Sequence, residues 1–204
     1  EEVYDPSVAS INSRVFYTGG SRLVTETDLT RLSPDGNQGV GIYASSKRRV
    51  AEDYANMGSG GTTVREARGV VSSYKYKLDE GAVVDMNAPA EDRFYKALED
   101  WVKRLAQAYD FDERETEEII REAFRHPSET NADLHLHFTQ AFNSLMVREI
   151  MEKQGKSVKA FTEEKTVRHQ SWFEVARHHG IQAFSTRGSR QNHYGGFRGD
   201  HQVI

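Results

Sequence analysis

The chain has 204 residues and a mass of 23.2 kDa, enough for one substantial core or for a core with an inserted subdomain. With 27 basic against 31 acidic residues the net charge is -4, which removes any global electrostatic case for nucleic-acid or membrane binding and leaves only local basic patches. The absence of cysteine excludes disulfides, thiolate catalysis and zinc–thiolate sites, and no apolar run approaches the roughly 18 residues of a membrane span.

In chain order, Glu1 to Arg14 reads as an irregular lead-in. Val15-Phe16-Tyr17 is a short β-prone run that ends in Thr18-Gly19-Gly20-Ser21, where two glycines allow close backbone approach by a ligand or a neighbouring strand. Arg22 to Leu32 reads as partly helical, and Ser33-Pro34-Asp35-Gly36-Asn37-Gln38-Gly39 has strong turn chemistry. Gly39-Val40-Gly41-Ile42-Tyr43-Ala44 is a glycine-led apolar strand. A helix comes next, with Ser45 or Ser46 as N-cap and Val50, Ala51, Tyr54 and Ala55 on one face. A strand that hands small side chains and free amides to a helix start can hold a flat or anionic ligand.

Beyond a glycine-rich loop, Met57 to Thr63, residues 68–78 alternate well enough for a long strand. Asp79-Glu80-Gly81 makes a turn and Ala82 to Met86 the next strand. The middle changes period: Phe94, Ala97, Leu98, Trp101, Leu105 and Ala108 recur at helical spacing, then Ile119, Ile120, Ala123 and Phe124, then Leu134, Phe138, Ala141, Phe142, Leu145, Met146 and Ile150. His126-Pro127-Ser128 separates the second and third sets, with Ser128 as a cap for the third helix. This predicts an all-helical insertion over about residues 90–155, its aromatic and Met stripes forming core. His135 and His137, two apart on a helix, diverge, and neighbouring His178 and His179 do the same, so no metal site is expected from either pair.

The end returns to β structure. Trp172 to Gly180 reads as a helix stopped by Gly180, Ile181 to Ser185 as a strand, and Thr186 to Gly199 as a loop carrying Arg187, Arg190, His193, Tyr194 and Arg198. Asp200-His201-Gln202-Val203-Ile204 begins a further strand. The start at Glu1 rather than at a methionine and the stop within an apolar run read as a domain cut from something longer.

Taken in this order, the strand ending Phe16-Tyr17-Thr18-Gly19-Gly20, the Gly41-Ile42-Tyr43-Ala44-Ser45 strand with its helix, the Val83-Val84-Asp85 strand and the terminal strand resemble the ADP-ribosyltransferase superfamily, nearest its bacterial toxin members. The likeness covers about residues 14–86 and 172–204 and leaves out the helical middle. It implies a single α+β domain over residues 1–204, with an ADP-ribosyltransferase-like split β-sheet core, two small sheets flanking an NAD cleft, and the helical insertion.

The resemblance also implies roles. NAD is a co-substrate. Tyr17 belongs to the first-strand tyrosine-X-glycine element, and Thr18 takes the place of a histidine or arginine that grips the adenosine ribose or a phosphate. The main-chain amides of Gly19, Gly20 and Ser21 meet the nicotinamide amide or phosphates; Gly41, Ile42, Tyr43 and Ser45 form the second motif, and Tyr54 stacks on the nicotinamide ring. Gln202 falls where a carboxylate or glutamine bonds the nicotinamide ribose, and Asp200 where a residue orients the acceptor. The basic loop before them selects a protein or RNA acceptor. Such a domain is the toxic end of a secreted effector, delivered into a target cell's cytoplasm and matched by an immunity protein. Three alternatives stay open: an NAD-dependent RNA 2′-phosphotransferase, a non-catalytic NAD-fold binding module, and an interaction domain built on the helical middle.

Overall fold

The computed structural model describes residues 4–20, 44–56, 69–155, 165–186 and 202–203. They form a mixed α+β protein. The chain divides into two compact units, Glu1–Thr27 with Ile42–Met86 and Ile181–Ile204, and Asp28–Gly41 with Asn87–Gly180.

The first unit is a six-stranded sheet. Its strands are β1 (Phe16–Gly20), β2 (Ala44–Ser45), β3 (Val70–Tyr74), β4 (Val83–Asp85), β5 (Ala183–Thr186) and β6 (Gln202–Val203), in the order β3-β1-β2-β6-β5-β4. β4 and β5 run parallel, and the other neighbours are antiparallel. On one face Phe16, Ala44 and Ala183 pack with Ile11, and Tyr76, Leu78 and Val83 close around them.

Ile11 comes from a helix where an irregular lead-in was expected. α1 (Val8–Ser13) is capped by Ser7, whose hydroxyl accepts from the Ser10 amide at 3.2 Å. One buried residue in six leaves no helical period to read in advance. Next to it, Asn12 corrects the expected strand over 68–78. The strand stops at Tyr74 because its partner β1 ends there, at the pair Phe16↔Tyr74. Past that point the Asn12 side chain takes the partner's place, accepting from the Leu78 amide at 2.8 Å and donating to the Leu78 carbonyl at 2.9 Å.

α2 (Arg48–Ala55) begins at Lys47, not at Ser45 or Ser46. Ser45 is still in β2, and its hydroxyl serves the turn by accepting from the Lys47 amide at 3.1 Å. The helix turns its smallest side chains inward, with Ala51 and Ala55 buried and Val50 and Tyr54 half-buried. This lets β1 at Gly19, and Gly69 just ahead of β3, approach its backbone very closely.

The second unit holds α3 (Asp92–Ala108), α4 (Glu113–Ala123), α5 (Asn131–Gln154) and α6 (Lys165–His178). α6 begins ahead of the expected Trp172, and the chain leaves it through Gly180 at φ +69°, a left-handed stop that glycine adopts without penalty. α4 opens on a reciprocal capping box between Asp112 and Glu115, and α5 on one between Thr130 and Asp133. Ser128 is therefore not the cap. It has no acid three residues on, whereas Thr130 does, and its hydroxyl lies instead 3.1 Å from His137 Nδ1. The core is Phe94, Leu98, Val102, Leu105, Ile119 and Phe138 with Trp172 and Val175. Trp101 packs beside it at a tilt, 5.1 Å from the Trp172 ring and 5.9 Å from Phe138. Among the described residues no helix is long and apolar enough to cross a membrane.

A buried amide joins the starts of α3 and α5. Asn131, with 0% of its surface exposed, accepts from the Glu91 amide at 2.9 Å and donates to Glu91 Oε1 at 3.2 Å, while its own amide donates to the Ala88 carbonyl at 3.0 Å. Asn131→Ala leaves the Glu91 amide without its acceptor beside a fully buried position. The expected cost is about 1–3 kcal/mol, the usual desolvation loss of an orphaned buried group. Urea unfolding measures it, and a change under about 0.5 kcal/mol would show that water replaces the amide.

Candidate functional site

The site residues implied by the resemblance are spread over the whole chain, and the sheet register gathers several of those described. Tyr17 pairs with Ser45, Ser45 with Gln202, and Gln202 with Thr186. Ser73 extends the same row beyond Tyr17. Five backbone positions from five strands thus form one line across the sheet, with Gln202 between Ser45 and Thr186. Ser45 and Thr186 are buried and Tyr17 is half-buried. Tyr54 stands on α2, which packs against β1.

Gly19 and Gly20 close β1, and Thr18 pairs with Ser72 inside it. The role of Gly19 is visible in its surroundings. A Cβ there would lie 1.8 Å from the Ala51 carbonyl oxygen, so the glycine is where α2 meets the sheet. Ser21, Gly41, Ile42, Tyr43 and Asp200, and the basic loop residues Arg187, Arg190, His193, Tyr194 and Arg198, lie outside the described residues.

The first turn of α2 has an unusual charge. Lys47, Arg48 and Arg49 are all exposed there, and no acidic residue accompanies them. Cations at a helix N-terminus add to the positive end of the macrodipole instead of balancing it. Arg48 bonds Glu52 one turn on at 2.9 Å, an exposed pair worth a few tenths of a kcal/mol.

Sequence reasoning passed over a polar group in the neighbouring row, Ala44↔Val203↔Ser185↔Asp85. The Tyr4 hydroxyl donates to Asp85 Oδ1 at 2.8 Å and lies 3.1 Å from Ser185 Oγ, and Ser185 is only 1% exposed. Burial raises the Tyr4 phenol above its ordinary value; the Ser185 bond opposes this and Asp85 adds to it. The available signal was an aspartate ending the apolar run Val83-Val84-Asp85, a residue type that strands seldom carry inward without a partner. Burial likewise pushes Tyr76 up to about 12.

In the helical unit, His135 is buried and its ring stacks 6.3 Å from Phe94, at 7° to it. Burial pushes its pKa down from 6.5 to about 4. The sign comes from linkage: between those two pH values the unfolded chain takes up a proton that the folded one refuses, so this contribution is whole above pH 6.5 and fades as pH falls toward 4. The loss is about 3 kcal/mol, since each tenfold drop in proton affinity is worth roughly 1.4 kcal/mol. Unfolding of the parent and His135→Phe at both ends of the window should differ by that amount. Equal losses in the two proteins would assign the acid sensitivity elsewhere.

An open depression of about 710 Å³ lies between α3 and α4, lined by Lys103, Gln107, Phe111, Asp112, Thr116 and Ile120 among others, and shares no residue with the sheet row. One of its acids serves structure: Asp112 caps α4. Among the described residues no three His, Asp or Glu side chains converge on a metal position. No family model, curated protein or solved structure matches the chain.

Proposed function

We propose that the chain is an NAD-dependent ADP-ribosyltransferase, the toxin domain of a bacterial effector, which moves ADP-ribose onto a macromolecular acceptor and releases nicotinamide. The observation that carries this reading is the register Tyr17↔Ser45↔Gln202. Three residues singled out on separate stretches of sequence are backbone neighbours on adjacent strands, and a one-residue slip in any pairing would have parted them.

The chemistry asks little covalent work of the protein. The bond from ribose C1′ to nicotinamide breaks, its electron pair leaves with the neutral base, and an acceptor nucleophile bonds C1′ as it gives up its proton. Positive charge builds on the ribose in between. A hydrogen-bonding group at Gln202 or Asp200, holding the ribose hydroxyl, steadies a charge that exists mainly in the transition state. Tyr43 and Tyr54 offer flat faces for the nicotinamide ring. The cationic first turn of α2 suits the pyrophosphate or an anionic acceptor. A delivered toxin of this kind calls for an immunity protein in the producing cell.

The test is nicotinamide release from adenylate-labelled NAD, followed with and without the protein and RNA fractions of a bacterial lysate. Release that rises with one fraction, together with label transferred into it, is the expected result and names the acceptor class. Silence under every condition, with Gln202→Glu equally silent, would leave a non-catalytic NAD-fold module.

A further inference from the structure

Two imidazoles outside the sheet row are brought together from different elements. His126 is exposed in the connection after α4, and His137 is half-buried near the start of α5. Their ring centroids are 5.7 Å apart with planes at 52°, and Ser128 Oγ lies 3.1 Å from His137 Nδ1. We propose that this pair binds a divalent transition-metal ion of the zinc type, through one nitrogen of each ring, with water at the remaining positions.

Separation is the first argument. Two imidazoles on one tetrahedral ion, with metal–nitrogen bonds of about 2.0–2.1 Å, have ring centroids roughly 5–6 Å apart. The observed 5.7 Å falls within that range. Ser128 is the second. A metal-binding histidine uses its other nitrogen to donate to an oxygen, which fixes its tautomer and aim. With His137 Nδ1–H donating to the Ser128 hydroxyl, the lone pair stands on Nε2. The third is local stiffness: His126 precedes Pro127, which narrows its backbone freedom, and Thr130 with Asp133 locks the entry to α5 two residues past Ser128. The spacing of His135 and His137 along α5 points away from a metal; the partner comes from the loop.

Both rings must be neutral to bind, so protons compete with the metal ion for the site. The experiment is a calorimetric titration of zinc chloride into the whole chain near neutral pH, with the histidine ring protons followed by NMR. Saturable binding of one ion that shifts the His126 and His137 resonances first is expected. His126→Ala should abolish that step, Ser128→Ala should weaken it about 10-fold as lost support for a ligand does, and His178→Ala should leave it unchanged. Binding that survives His126→Ala, or the absence of any saturable step, overturns the proposal.

Discussion

Gly19→Ala should destabilise the sheet unit by about 3 kcal/mol or more, at the upper end of what overpacking costs. The new Cβ would stand 1.8 Å from the Ala51 carbonyl oxygen, 2.8 Å from its carbon and 2.7 Å from the Ala55 nitrogen. All three are backbone atoms of α2, so no rotamer change relieves them. The helix must lift, and with it go the contacts of Ala51 and Ala55, both buried. Gly69→Ala drives into the same helix, 1.7 Å from the Ala55 carbonyl oxygen, and should cost as much. Gly81 is the control. It has φ +71° and nothing within 4 Å of a built Cβ, so Gly81→Ala pays only for backbone strain, about 1 kcal/mol. For a chain of this size each kcal/mol moves the melting point roughly 2–4 °C, and a fall of about 6–12 °C for Gly19→Ala is the result to look for. If Gly19→Ala melts no lower than Gly81→Ala, the close approach of α2 to β1 is wrong.

The same glycine shows what a sequence discloses and what it hides. Two glycines after a β-prone run announce a close backbone approach, and that much holds; which body approaches is a tertiary fact, and here it is α2. Periodicity works where a helix buries a stripe. The repeat from Phe94 to Ala108 foretells α3, and the sets around Ile119 and Leu134 foretell α4 and α5. It fails for α1, whose single buried Ile11 offers no repeat. Alternation over residues 68–78 is real as far as Leu78, which is packed inward, but strand length is set by the partner, and β1 begins at Phe16, opposite Tyr74. Caps were readable in the acid three places on: Thr130 with Asp133 satisfies the rule that Ser128 does not.

The site divides in the same way. That Tyr17, Ser45 and Gln202 matter was an inference from a resemblance; that they are neighbours is a matter of register, which no local pattern encodes. The Tyr4–Asp85–Ser185 group was hidden for a related reason. It spans 81 residues in one bond and 181 in the other, and its members look ordinary apart.

On the proposed ADP-ribosyl transfer, Gln202→Ala should lower kcat about 100-fold and leave the KM for NAD within about a factor of two, the pattern of a group that acts mainly in the transition state. Its position makes the split measurable. Gln202 pairs with Ser45 on one side and Thr186 on the other, so alanine, which keeps the same backbone bonds, leaves the row in register. Tyr54→Ala should do the reverse, raising KM with little change in kcat, because a stacking ring holds substrate and transition state alike. Gln202→Glu sets the sign: a carboxylate beside a ribose gathering positive charge should raise turnover above the parent, and more so at low ionic strength. If Gln202→Ala and Tyr54→Ala both turn over NAD as the parent does, the row is a structural seam of the sheet and the chemistry belongs to residues elsewhere. If Gln202→Ala loses KM instead of kcat, Gln202 binds the substrate without favouring its transition state, and Asp200→Asn becomes the variant expected to cut kcat.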